Sequence, residues 1–290
     1  MSFRIHPELE LGPVKLKVSN LERSIQFYKE IIGFKVLNKG EKVVELTAND
    51  KDALLILEEV SNALVYPPGT SLGLYHVAIL LPERSDLGLF LKHVANKGVK
   101  VGSADHFVSE ALYLSDPDHN GLEIYRDRPR EGWTKYGDDY KMVTEPIDAQ
   151  GLLQAAGEHD WQGLPEKTTI GHIHLHVRDL YESKNFYRDL LGMDVTVGNM
   201  TKYGMLFMAA GGYHHHIGLN IWAGSDAKIR PKNAVGIEYY TILLPDEEAL
   251  SKVVHHLTDN QVTIIEVDEG WLIEGPSGVG IRLQIKKGGN

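Results

Sequence analysis

From Leu11 to Val18 the chain reads LGPVKLKV, with Val14, Leu16 and Val18 apolar and lysines between them. A period of two predicts a half-buried strand. Leu21, Ile25, Tyr28 and Ile32 then fall on one helical face, and Gly33 stands where a helix cap belongs. The same succession returns at 170–195 as IGHIHLHVRDLYESKNFYRDLLGMDV, matching LGPVKLKVSNLERSIQFYKEIIGFKV at 11–36 without a gap. There Leu180, Tyr187 and Leu191 take the helix face and Gly192 the cap. A second pair of segments repeats as well. GLYHVAILLPERSDLGLFLKHVANKGVKV at 73–101 echoes GIEYYTILLPDEEALSKVVHHLTDNQVTI at 236–264, and SDPDHNGLEIYRD at 115–127 echoes EGPSGVGIRLQIKK at 274–287.

These repeats predict an α+β fold of four βαβββ modules, each roughly 50 residues long. Two tandem domains are expected, 10–128 and 168–287. Residues 129–167, rich in Gly, Asp, Glu and Pro, are expected to form a partly ordered linker with a short helix near 148–156. One module has a single small sheet with an apolar face. Two modules side by side can close those faces into a cupped half-barrel, which suits a ligand pocket.

Composition narrows the partners. The chain has 290 residues and a net charge of −10, so nucleic acid and anionic membrane are not expected partners. Cysteine is absent, which excludes disulfides, cysteine-ligated zinc or iron–sulfur centres and a thiol nucleophile. No apolar run is long enough to span a bilayer, and MSFRIHPELELGP has no apolar leader core, so the expected compartment is the cytoplasm. Histidine is plentiful at 14 residues, and GGYHHHIGLN carries three in succession at 214–216.

The repeat is an internal control for chemistry. His76 opens the strand GLYHVAIL, and its counterpart in the fourth module is Tyr239. Glu123 lies between Leu122 and Ile124, and its counterpart is Arg282. His172 corresponds to Pro13, and Tyr113 to Leu272. The fold therefore does not require His, Glu or Tyr at these places. Two histidines and one carboxylate fit a facial triad of the kind that holds non-heme Fe(II). The bland readings are a half-exposed strand histidine, an outward-facing glutamate, a strand tyrosine and a solvated loop at the three histidines. Asp116, Asp118 and His119 read as turn residues.

The segments LGLYHVAILLP, HFVSEALYLSDPDHNGLEIYRDRP, IGHIHLHVRDL and GGYHHHIGLNIW together resemble the vicinal-oxygen-chelate superfamily and, within it, the type I extradiol ring-cleaving dioxygenases, Bacillus-type catechol 2,3-dioxygenases among them. The resemblance spans both module pairs. It implies metal ligands at His76, Glu123 and His172, in a cup built by the second and third modules. The commoner arrangement places all three ligands in the C-terminal pair, which Tyr239 and Arg282 forbid here. It further implies a catalytic acid/base at His215, where HHIG at 215–218 fits the pattern, and a substrate hydrogen bond from Tyr113. His106, His174 and His216 are the expected pocket residues. Strand alternation would send His214 and His216 to the face opposite His215. The implied cofactor is Fe(II), with Mn(II) or another divalent metal as alternatives. The implied reaction is cleavage of a small aromatic diol by O₂, and a homo-oligomer is left open. The competing readings are a glyoxalase-like metal-dependent isomerase or lyase, disfavoured by Asn220 where a second carboxylate would stand, and a metal-free binding protein.

Overall fold

The computed structural model describes residues 3–287. Its first module holds β1 (Glu10–Val18), α1 (Leu21–Phe27), β2 (Lys35–Lys39), β3 (Val43–Thr47) and β4 (Ala53–Glu59). The second holds β5 (Gly73–Leu80), α2 (Arg84–Asn96), β6 (Gly102–Asp105), β7 (Ser109–Ser115) and β8 (Gly121–Asp127). Between the repeats lie a small hairpin, β9 (Lys135–Tyr136) and β10 (Asp139–Tyr140), and α3 (Ala149–Ala156). The third module holds β11 (Thr169–His176), α4 (Leu180–Asn185), β12 (Asp194–Val197), the short α5 (Met200–Tyr203), β13 (Met205–Ala209) and β14 (Ile217–Asn220). The fourth holds β15 (Gly236–Leu244), α6 (Glu247–Asp259), β16 (Ile265–Val267), β17 (Gly270–Glu274) and β18 (Gly280–Ile285).

The helix starts follow the sequence. Asn20 caps α1 through Arg23 N, and Asp179 caps α4 through Tyr181 N and Glu182 N. The periodic pattern predicts one continuous helix to Ile32. Instead both copies end in a π turn, Tyr28–Ile32 and Phe186–Leu190, before a glycine with positive φ, 97° at Gly33 and 73° at Gly192.

Pairing runs across the repeats. β5 and β11 are antiparallel neighbours, so the second and third modules share one cup in the strand order β6-β7-β8-β5-β11-β14-β13-β12. β1 and β15 likewise join the first and fourth modules. Across the two cups, β1 and β11 pair at one bridge, Leu11 with Ile170. Register confirms the correspondence read from the repeat. His174 faces His76 across one seam, and Lys15 faces Tyr239 across the other. Glu123 pairs with Ala78, and Arg282 with Thr241.

The second cup is filled differently. Lys15 Nζ lies 2.5 Å from Glu58 and 3.2 Å from Glu238, and Arg282 stands beside the Tyr239 hydroxyl at 3.3 Å. Lys15 is paired there with the two carboxylates, and Arg282 lies over the Tyr239 ring.

Candidate metal centre

Four strands set one lateral row of side chains on the concave face. Tyr113 on β7 pairs with Glu123 on β8, Glu123 with Ala78 on β5, and Ala78 with His172 on β11. Residues in register point to the same face of a sheet. Ala78 is buried and small, which leaves room above it for Glu123 and His172 to converge. His76 lies two residues before Ala78 and so shares its face. A bulge at Gly171 restores this alignment after Ile170. A Cβ on Gly171 would stand 1.7 Å from the Tyr125 hydroxyl, so only glycine fits.

The three side chains meet at one point. His76 Nε2 is 3.0 Å and His172 Nε2 3.1 Å from the same Glu123 Oε2, and the two nitrogens are 3.3 Å apart. All three residues are buried. Burial acts to raise the Glu123 carboxyl, but the imidazoles of His172 and His76 outweigh it and hold the carboxyl well below the ordinary range. Burial pulls His172 down to about 4 against the opposing influence of Glu123. At neutral pH the cluster is thus an ionised carboxylate beside an unprotonated imidazole. A buried negative charge without a partner is costly. A divalent cation fits this donor set. Donors about 2.1 Å from a cation and about 90° apart are ~3.0 Å from one another, close to the spacing found.

Further histidines surround the three. His174 does not offer its Nε2 to the cluster, because that atom accepts from Asn220 Nδ2 at 3.0 Å. Asn220 Oδ1 in turn accepts from His176 Nδ1 at 2.6 Å. Asn220 therefore braces two pocket-facing imidazoles. Gly218 opposite leaves space for the His174 ring, which an added Cβ would meet at 2.8 Å.

His215 lies inside the cup, its ring 4.1 Å from that of His172 and stacked on Phe207 at 4.2 Å. Burial, then the neighbouring His172 and His214, hold its pKa well below the usual histidine value. The expectation for His214 needs correction. It does not turn to the opposite face: its Nδ1 lies 2.7 Å from His215 Nδ1. Residues 213–216 precede β14 and are not strand, so a period of two does not govern them. His216 is buried against Tyr213 at 4.9 Å, and its Nδ1 accepts from Ala210 N at 3.2 Å.

At the other end of the row, Tyr113 and His106 form a dyad. His106 Nδ1 donates to the Val143 carbonyl at 2.6 Å, so its Nε2 is the acceptor for the Tyr113 hydroxyl, also at 2.6 Å. Burial, reinforced by Glu123, keeps the Tyr113 phenol well above its usual pKa, hence protonated. The segment between the repeats thus reaches the site through Val143, and Trp133 packs on His214 at 5.0 Å.

Sequence reasoning missed Asp127, Trp133, Val143, Tyr125 and the bracing role of Asn220. Asp127 carried a usable signal, since Glu123, Tyr125 and Asp127 alternate along β8 and share its concave face. At the rim, half-exposed Tyr75 and Trp222 meet edge to face at 5.5 Å, with Tyr75 4.9 Å from His76. Asp116 and Asp118 do belong to the turn. Asp118 also holds Ser19 and Arg23, locking the first module to the second.

Comparison with known proteins agrees with this architecture. The Glyoxalase/Bleomycin resistance protein/Dioxygenase superfamily model matches residues 10–124 and 169–281. The chain is 50% identical over 273 residues to the catechol-2,3-dioxygenase of Bacillus subtilis (strain 168), covering 94% of this chain and 95% of that one. Two solved structures share the fold at low identity. One is a Bacillus subtilis protein described as a dioxygenase, with TM-score 0.66 and 11% identity over 99% of this chain and 86% of that one. The other is glyoxalase I from Zea mays, with TM-score 0.55 and 17% identity over 95% and 92%. Among the described residues no helix is long and apolar enough to cross a membrane. The chain belongs to the glyoxalase/bleomycin resistance protein/dioxygenase superfamily.

Proposed function

We propose that this protein cleaves catechol, or a closely related vicinal aromatic diol, at the carbon–carbon bond beside the diol, inserting both atoms of O₂. The product is a 2-hydroxymuconic semialdehyde, and the cofactor is Fe(II) held by His76, His172 and Glu123. The observation that carries the reading is the convergence of two Nε2 atoms and one carboxylate oxygen within 3.3 Å of one another. The 50% identity to a catechol-2,3-dioxygenase supports it.

Bound at these three donors, Fe(II) would supply open positions for both diol oxygens and for O₂. The chain's own residues do the rest. Tyr113 donates its O–H to His106, so its oxygen is left to accept a hydrogen bond from a diol hydroxyl. His215, kept unprotonated, takes a proton from the diol side and returns it as the ring opens. These two groups flank the cluster from opposite ends, Tyr113 beside Glu123 and His215 beside His172. Trp222 and Tyr75 give the mouth flat walls suited to an aromatic ring.

The test is to purify the protein without oxygen, load Fe(II), add catechol, then admit air and follow the yellow ring-fission product. Colour that His76→Ala and Glu123→Ala abolish establishes the activity and its site. Tight metal binding without colour from catechol or substituted catechols would overturn the ring-cleavage reading, and absence of metal binding would overturn the metal centre as well.

A further inference from the structure

Among the buried imidazoles of the cup to which the reaction above assigns no role, His214 is fully buried and touches His215. It joins two other groups in a line. Its Nε2 lies 2.7 Å from Asp127 Oδ1, and its Nδ1 lies 2.7 Å from His215 Nδ1. His214 is fully buried and His215 nearly so, while the Asp127 side chain keeps 21% of its exposure.

Hydrogen-bond bookkeeping along this line has one solution when both rings are neutral. An ionised carboxylate only accepts, so the His214 proton sits on Nε2. The lone pair of His214 is then on Nδ1, where it accepts from His215. The proton of His215 must therefore be on its own Nδ1, and its lone pair on Nε2. No described residue hydrogen-bonds His215 Nε2, and this atom is not among the buried polar atoms left without a partner, so it stays reachable from the cup.

We propose that Asp127 and His214 are positioning residues that lock His215 in the Nδ1–H tautomer, so that its Nε2 lone pair faces the bound substrate. This rests on the reading of His215 as the proton-handling group. It goes beyond that reading by assigning the atom that moves the proton and the two residues that select it. The alternative tautomer would leave Nε2 a donor, able to hold an oxygen but unable to take a proton. The selecting carboxylate comes from the second module and both histidines from the third, so the line also ties proton handling to correct closure of the cup.

The test reads tautomers directly. Protein labelled with ¹⁵N-histidine and loaded with diamagnetic Zn(II) is examined near neutral pH by two-bond ¹H–¹⁵N correlation. The expected result is His215 with hydrogen on Nδ1 and His214 with hydrogen on Nε2. In Asp127→Ala and His214→Leu, His215 should shift toward Nε2–H. The Fe(II)-loaded variants should lose about 10- to 100-fold in kcat, while KM and Zn(II) affinity change little. His214→Asn places an amide oxygen where Nδ1 stood. It should restore the Nδ1–H form and recover kcat toward wild type, which mere loss of packing would not do. A His215 with hydrogen on Nε2 in the wild type, a doubly protonated His214, or a His215 unchanged in His214→Leu would overturn the proposal. The tautomer measurement needs no turnover. The predicted tautomers in a protein that cleaves no diol would defeat the functional reading and leave the positioning line standing.

Discussion

Glu123 and His172 belong to different repeats, 49 residues apart, and their side chains meet at 3.1 Å. Neither lies in a loop. Each is placed by a strand register that passes through Ala78, so the meeting is a property of the sheet and not of a flexible arm.

If that meeting exists to hold a cation, Glu123→Gln should remove the cation and leave the fold. Glutamine keeps the volume but lacks the charge that balances a divalent ion. Metal affinity should fall at least about 100-fold, beyond the 10- to 100-fold typical of outer-shell partners. A ligand at 100 times its Kd stabilises the folded state by about 2.7 kcal/mol. The metal-induced rise in Tm expected for the wild type should therefore vanish in the variant, while the metal-free melting temperatures stay within a few degrees. Differential scanning calorimetry with and without Zn(II) checks both parts.

Ala78 should tolerate loss but not growth. A leucine there would stand in the gap across which Glu123 and His172 converge. Overpacking a full core costs roughly 1–3 kcal/mol, and part of that strain should be relieved by pushing the two donors apart. Ala78→Leu is expected to lose metal binding while remaining folded, and Ala78→Gly to keep it. Isothermal titration with Zn(II) separates the two. A leucine variant with wild-type affinity would mean that the row is not what spaces the donors.

Asn220 carries a different prediction. It satisfies His174 Nε2 and His176 Nδ1 at once. Asn220→Ala leaves two buried ring nitrogens without partners, and an unmet buried polar group costs about 1–3 kcal/mol. Urea unfolding should show a loss in that range or somewhat above it. The freed His174 ring should also gain access to the cation, so Zn(II) affinity should stay level or rise while turnover of catechol falls.

The parts of this site that were legible in the sequence are those that the repeat exposes. His76, Glu123 and His172 stood out because Tyr239, Arg282 and Pro13 occupy their places elsewhere, and the registers of β15 and β18 match those of β5 and β8 at Tyr239 and Arg282. Ala78 was not legible, since a small apolar residue in an apolar strand looks like any core position. The orientation of His214 was misread because alternation was carried into 213–216, where the backbone is not extended strand. Asp127 and Val143 act through contacts with residues 87 and 37 positions away. Such contacts depend on how the modules dock and leave no local pattern to read.

Acid sensitivity should expose His216. Burial holds this ring neutral, with its pKa lowered from 6.5 to about 3, and its Nδ1 accepts from Ala210 N. The folded pKa lies below the unfolded one, so between about pH 6.5 and pH 3 the unfolded chain binds the extra proton. Stability then rises with pH across that window and is lost as pH falls through it. One proton of difference corresponds to a slope of about 1.4 kcal/mol per pH unit. His216→Asn keeps an acceptor near Ala210 N and removes the titration. The metal-free variant should be less stable than wild type at neutral pH but should lose stability less steeply toward pH 4, by up to that slope. Urea midpoints measured at half-unit steps from pH 7 to pH 4 read the difference. Parallel curves for the two proteins would show that His216 takes up its proton as readily in the fold as outside it, and that burial does not hold it neutral.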